Sequence, residues 1–146
     1  MNFLVVYFSR GGKTRKVAEA IAQELGCEAI DVKKETPDVS GVELLLVGSG
    51  EYYSRRKVHK ILQGFLDRLQ PSSKSKAAVF ATAGGPDPKC IYHMEEVLET
   101  KGYKVISSFK CRGQLFFFLN RGHPTEDDLK NAKAFASDLK KKLGDS

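Results

Sequence analysis

The chain has 146 residues, of which 41% are hydrophobic and 29% are charged, and its formal net charge is +6. This length and composition fit a single globular domain, residues 1–146, with a sizeable core. No apolar run is long enough to span a membrane, and no cleavable leader precedes the first strand, so we expect a cytoplasmic protein that starts at Met1, without membrane insertion. The basic residues are scattered, which argues against a nucleic-acid partner and favours acidic proteins or anionic ligands.

Neither the cysteines nor the histidines have a spacing typical of a disulfide framework or a metal site. We therefore interpret the cysteines as reduced, partly buried thiols and the histidines as surface or turn residues. We assign no catalytic residue and no metal ligand. The residues concerned are Cys27, Cys90, Cys111, His59, His93 and His123.

Apolar runs alternate with helical spacing along most of the chain. The first run, residues 3–8, is continuous and typical of a strand that is buried on both faces. The alternation predicts a parallel sheet with helices on both faces, although only a short connector follows the second strand. The apolar run at 115–119 fits either an extension of the last strand or a cover for the sheet. We predict strands at 3–8, 28–32, 42–47, 77–81 and 103–109, and helices at 17–25, 58–69, 91–98 and 125–143.

The segment between the first strand and the first helix is the first candidate binding site, because ligands of such sheets bind at the carboxyl ends of the strands. A helix N-terminus offers free N–H groups and the positive end of the helix dipole. The segment adds two glycines, two hydroxyls and two cations, which all suit a phosphate. The predicted phosphate-binding residues are Ser9, Arg10, Gly11, Gly12, Lys13 and Thr14.

Other anion chemistries fit this segment less well. Gly-Lys-Thr at 12–14 resembles the end of a P-loop, but Tyr7 stands where that motif needs glycine, and the GxGxxG pattern is absent. The segment has no cysteine nucleophile, and the carboxylates of a phospho-acceptor site are missing after the first and third strands. A loop that only caps the helix remains an alternative. The pattern favours a phosphate monoester that is held without being cleaved.

Two further segments follow strands at the same predicted edge. Adjacent tyrosines suit stacking on a planar ring, although one of them packing on a helix is an alternative. The glycines of the later segment let peptide N–H groups face a heterocycle, although that segment alone also fits a plain turn. The three segments together predict a site for a phosphorylated planar heterocycle such as FMN. The predicted ring-side residues are Ser49, Gly50, Glu51, Tyr52, Tyr53, Thr82, Ala83, Gly84 and Gly85.

The stretch VVYFSRGGKTRKVAEAIAQEL resembles the opening of flavodoxins, whose first loop commonly reads Ser/Thr-x-Thr-Gly-Asn-Thr. Ser9, Gly12 and Thr14 match that pattern, whereas Gly11 and Lys13 replace its Thr and Asn. LLLVGSGEYYS followed by HKILQGFLDRL resembles the family's second loop and helix, and FKCRGQL…NRGHPTEDDLKNAKAFASDL is similar to its C-terminal part. The resemblance implies a flavodoxin-like three-layer sandwich with a five-stranded parallel sheet of order 2-1-3-4-5, and non-covalent FMN.

The resemblance further implies an electron-transfer protein, with phosphate bound at 9–14 and the isoalloxazine enclosed by 49–53 and 82–85. Glu51 beside the ring would lower the reduction potential. The net positive charge departs from the acidic surface usual among flavodoxins, which suggests acidic redox partners. Two alternatives stay open: an FMN-dependent NAD(P)H:quinone-type reductase and an interaction module without flavin. In the reductase, Arg55, Arg56 and Lys57 would attract an anionic substrate, although the three residues fit an exposed basic helix start equally well.

Overall fold

The computed structural model describes residues 2–50, 58–83, 89–112 and 126–144. Strands and helices alternate as the sequence predicts. The apolar run at 115–119 and Thr125, where we predict the last helix to begin, lie outside the described residues. The elements are β1 (Phe3–Phe8), α1 (Lys13–Leu25), β2 (Ala29–Asp31), β3 (Leu44–Gly50), α2 (Lys60–Arg68), β4 (Lys76–Ala83), α3 (Lys89–Thr100), β5 (Lys104–Arg112) and α4 (Glu126–Gly144).

The five strands form one parallel sheet of order β2-β1-β3-β4-β5, which confirms the predicted order. After β1 the chain first adds β2 on one side and then crosses back to place β3 on the other. The carboxyl ends of β1 and β3 therefore meet where the strand order reverses, and this is where such sheets bind ligands.

The apolar strands pack between two helical layers, as the continuous runs predict. Successive side chains of a strand point to opposite faces, so Val6 and Val79 pack in the layer of α2 and α3. Val5 and Phe80 pack on the other face, with α1 and α4. The inner face of α4 contains Ala132, Ala136, Leu139 and Leu143, all of which are buried, and the partly buried Leu129 packs against the same core.

The ends of three strands differ from the prediction, since β3, β4 and β5 end at Gly50, Ala83 and Arg112 rather than at 47, 81 and 109. The ladder continues beyond the apolar runs, because Ser49 pairs with Ala81 and Gly50 with Thr82 in register. The predicted ring-side residues 49, 50, 82 and 83 are thus the last residues of β3 and β4 rather than loop residues. Backbone pairing fixes their positions more firmly than a loop would.

Candidate functional site

The segment between β1 and α1 folds around a left-handed glycine. Gly12 has a φ of 87° and occupies the N-cap of α1, a conformation that favours glycine. Its N–H donates to the Ser9 hydroxyl oxygen at 3.0 Å, and its carbonyl accepts from the N–H of Lys16 at 3.2 Å. Gly12 offers no side chain to cap the helix. The first N–H groups of α1 therefore keep their capacity to bind an anion, and the Ser9 hydroxyl keeps its proton as a further donor.

A buried pair of hydroxyls connects the first turn of α1 to the end of β4. Thr14 Oγ1 and Thr82 Oγ1 lie 2.7 Å apart, and the two residues are 3% and 4% exposed. A Cβ added to Gly50 would stand 3.3 Å from Thr14 Oγ1 and 3.6 Å from Thr82 Oγ1. The structure therefore brings together one residue from each of the three segments that the sequence analysis selected.

Ser49, the neighbour of Gly50, is also buried, at 2% exposure. Its hydroxyl donates to the carbonyl of Gly50 at 2.7 Å. This proton is engaged within the end of β3, whereas the hydroxyl oxygen still has acceptor capacity. Ser49 therefore stabilises the backbone at the end of β3, and its contact with the ring stays a prediction.

Lys33 is a residue of this region that the sequence analysis did not identify. Its Nζ donates to the carbonyl of Ser9 at 2.6 Å, lies 4.0 Å from an oxygen of Asp31 and stands 5.4 Å from the ring centroid of Phe8. Lys33 follows β2, and the sequence analysis took no candidate residue from the carboxyl end of that strand. The predicted strand order could have identified Lys33, because it places β2 beside β1 and the end of β2 therefore lies next to the segment 9–14.

His59 lies at the same edge and has a defined structural role. Its ring stacks on Phe8 with 4.1 Å between centroids, and its Nδ1 accepts from the N–H of Ile61 at 3.1 Å. The imidazole therefore caps α2. Because Nδ1 accepts this hydrogen bond, Nδ1 itself carries no proton. We expected a surface or turn residue at this position, and the structure shows more specifically that His59 is the N-cap of a helix. Helix α2 is thus capped by a side chain at its start, unlike α1.

The remaining predicted residues divide into two groups. Arg10 and Gly11 are exposed at the first segment, and Lys13 is half-buried in the first turn of α1. Glu51, Tyr52, Tyr53, Gly84 and Gly85 lie outside the described residues, so the enclosure of a ring by them stays a prediction. The same holds for Arg55, Arg56, Lys57 and His123.

The donors at the first segment suit a phosphate. The first turn of α1 contains no acidic residue, and it presents backbone N–H groups beside the Ser9 hydroxyl and the charge of Lys13.

Across the described ranges, no three His, Cys, Asp or Glu side chains cluster in a way that would hold a metal ion. Nor does any helix in these ranges combine the length and apolarity needed to cross a bilayer.

Comparison with known proteins gives consistent results. The flavodoxin domain family matches residues 4–115 of the chain. An uncharacterized protein of Methanocaldococcus jannaschii is 38% identical over 152 aligned positions, which cover 97% of this chain and 99% of that protein.

Solved structures share the fold at lower sequence identity. A flavodoxin from the domain Archaea superimposes with a TM-score of 0.76 at 22% identity, covering 99% of each chain. Oxidised flavodoxin 1 from Bacillus cereus gives 0.77 at 20% identity, covering 97% of this chain and 98% of that one. A flavodoxin of Streptococcus pneumoniae gives 0.78 at 16% identity, covering 97% and 99%.

Proposed function

This chain belongs to the flavodoxin family, and from that premise we propose that it binds FMN non-covalently and carries electrons between redox partner proteins in the cytoplasm. The observation that carries the proposal is the start of α1, where backbone N–H groups without a side-chain cap meet the Ser9 hydroxyl and Lys13. When bound, the flavin supplies the oxidation–reduction chemistry, and the protein supplies binding and orientation.

The residues of the first segment would hold the phosphate. The Ser9 hydroxyl and the first N–H groups of α1 would donate to its oxygens, and Lys13 would neutralise its charge. Lys33 would keep the segment in place through the Ser9 carbonyl, which it contacts at 2.6 Å. The other predicted phosphate contacts are Arg10, Gly11, Gly12 and Thr14.

The ends of β3 and β4 would support the ring. Gly50 lies next to the Thr14–Thr82 pair, so phosphate and ring would contact adjoining parts of one rigid edge. Glu51, Tyr52, Tyr53, Gly84 and Gly85 follow these strand ends directly and remain our predicted ring contacts. Tyrosine rings would stack on the isoalloxazine and exclude water from it.

Comparing FMN with riboflavin tests the proposal, because the two ligands differ by the phosphate alone. We expect the flavin-free protein to quench FMN fluorescence with micromolar or tighter affinity and to bind riboflavin about tenfold to a hundredfold more weakly, as the loss of charge-assisted hydrogen bonds predicts. Ser9→Ala should reduce this preference, whereas Ser40→Ala, at an exposed turn, should not. A protein that takes up no FMN would contradict the proposal.

A second assay separates an electron carrier from a reductase. We expect the FMN-loaded protein to oxidise NADPH slowly in the presence of a quinone, because a carrier depends on a partner reductase. Rapid turnover by the protein alone would instead support the NAD(P)H:quinone reductase alternative.

A further inference from the structure

Three helices of the molecule begin with a lysine and have no acidic residue in their first turn. They are α1 with Lys13, α2 with Lys60 and α3 with Lys89. The helix dipole favours the opposite arrangement, since the N-terminus carries partial positive charge. Acidic side chains are present in α3, at Glu95, Glu96 and Glu99, but they all lie in its later turns. Lysines in the first turn reduce helix stability, so we look for a function of these lysines in binding rather than in stabilising the helix.

All three lysines lie at one edge of the sheet. Each helix follows a strand of the same parallel sheet, so each helix begins at the carboxyl edge, around the candidate flavin site. Lys13 is itself one of the proposed phosphate contacts. Lys60 and Lys89 are exposed and begin the two helices of the opposite layer, on either side of the ends of β3 and β4.

Apolar side chains are exposed beside these two lysines. Tyr92 is 61% exposed and Ile61 is 37% exposed, which makes them the exposed large hydrophobic side chains of the described residues. Ile61 follows Lys60 in sequence, and Tyr92 lies three positions after Lys89, on the same side of its helix. A hydrogen bond between Gln63 and His93 joins the two helices into one surface.

The combination favours a protein over a small anion or a nucleic acid. An exposed aromatic ring and an exposed aliphatic side chain, each near a lysine in the first turn of its helix, resemble the apolar centre and charged rim of protein interfaces. Glu95 and Glu96 lie one turn after Tyr92 and belong to the same rim. Two lysines are few for a nucleic-acid surface, where affinity depends on many phosphate contacts. Association of two copies through this surface would bring like charges together.

We propose that Lys60, Ile61, Lys89 and Tyr92, which we name the α2–α3 patch, dock an acidic redox protein beside the flavin. The proposal rests on the proposed function for its purpose, electron transfer, because the patch flanks the strand ends that would support the ring. Docking itself depends on the charges and apolar side chains of the patch. The lysines attract and orient the partner, and Tyr92 and Ile61 exclude water at the contact.

Nuclear magnetic resonance with a small acidic ferredoxin as the probe tests the patch. We expect the signals of Ile61 and Tyr92 to shift during titration of the FMN-loaded protein, and the affinity to fall as salt increases. The double variant Lys60→Glu and Lys89→Glu should bind the ferredoxin about tenfold more weakly or worse. Glutamate suits the first turn of a helix, and urea unfolding of this variant checks that it folds like the parent.

A matched variant controls for overall charge. Lys74→Glu with Lys104→Glu makes the same change in net charge at the opposite edge of the sheet, where both lysines are exposed. Binding by this variant should stay within about twofold of the parent. Equal losses in the two double variants would overturn the proposal, as would titration shifts confined to α4.

Two further measurements complete the test. Tyr92→Ser should weaken binding without changing its salt dependence, because the substitution removes apolar contact and no charge. The titration is repeated on the flavin-free chain, so that a failure to take up FMN contradicts the proposed function while docking is still read from Ile61 and Tyr92. A ferredoxin that shifts neither signal in either form overturns the docking proposal.

Discussion

Helices α1 and α4 pack in the same layer, yet their first turns carry opposite charges. Helix α4 begins with Glu126, Asp127 and Asp128 and ends with lysines, the distribution that the helix dipole favours. Helix α1 begins with Lys13 after a left-handed Gly12, with no side chain to cap it. The first turn of α4 stabilises its own helix, whereas that of α1 would be completed by the phosphate of the flavin that we propose.

The largest effect should follow from giving α1 the charge of α4. Lys13→Glu places an acid among the phosphate donors, so we expect FMN affinity to fall about a hundredfold. The same substitution suits the helix dipole and should stabilise the flavin-free protein by about 0.5 kcal/mol. Fluorescence titration and urea unfolding measure the two effects.

The reverse substitution in α4 is the matched control. Glu126→Lys should lower the free energy of unfolding by about 0.5 kcal/mol, because it places a cation at the positive end of the dipole. It should leave FMN affinity unchanged. Equal changes in FMN affinity from Lys13→Glu and Glu126→Lys would contradict our proposal that the first turn of α1, and not that of α4, binds the phosphate.

The buried hydroxyl pair sharpens the comparison, because it fixes the first turn of α1 to β4. Thr82→Val keeps the shape of the side chain and suits a strand, but it leaves the Thr14 hydroxyl buried without its partner at 2.7 Å. We expect a loss of about 2 kcal/mol in the free energy of unfolding.

A double-mutant cycle checks this assignment. Removing both hydroxyls, with Thr14→Val added, should restore part of the lost stability, because no polar group then stays unpaired. Thr100→Val, at an exposed threonine of α3, is the matched control and should change stability by less than about 0.5 kcal/mol. Additive losses in the cycle would show that the two hydroxyls do not interact.

A smaller effect should separate the two glycines before α1. Gly12 has a left-handed φ of 87°, so Gly12→Ala should cost about 1 kcal/mol of stability. Gly11 is outside the left-handed region and has open space around the position of a Cβ, so Gly11→Ala should be nearly neutral. Urea unfolding distinguishes the two, and equal losses would contradict the role of Gly12 as the turn into α1.

The sequence predicted the sheet more completely than it predicted the site. Continuous apolar runs and helical spacing locate the strands and helices, and the topology rule then selects the carboxyl edge. The ends of β3 and β4 were missed because Ser49, Gly50 and Thr82 are polar or small, and the apolar pattern stops before the backbone pairing does. Lys33 and the Thr14–Thr82 pair depend on neighbours that are distant in sequence, 68 residues apart for the two threonines.

The smallest effect concerns a thiol beside the acidic first turn of α4. Burial raises the pKa of Cys111 to about 12, and the charge of Asp128 contributes. Burial likewise raises the pKa of Cys27, which follows α1, to about 11, with Glu28 as a minor cause. Asp128→Asn should therefore lower the pKa of Cys111 and leave that of Cys27 unchanged.

The rate of alkylation by iodoacetamide against pH, read for each cysteine by mass spectrometry, measures both values. Both pKa values lie above the 9.0 of a free thiol, so the unfolded chain releases these protons first. The contribution of these two thiols to the free energy of unfolding is therefore fully present below pH 9, and it is lost as the pH rises towards 11 to 12. With Asp128→Asn the contribution of Cys111 should be lost over a narrower pH range. An equal shift at both cysteines would mean that the acidic turn of α4 acts on the whole molecule rather than on its neighbour in β5.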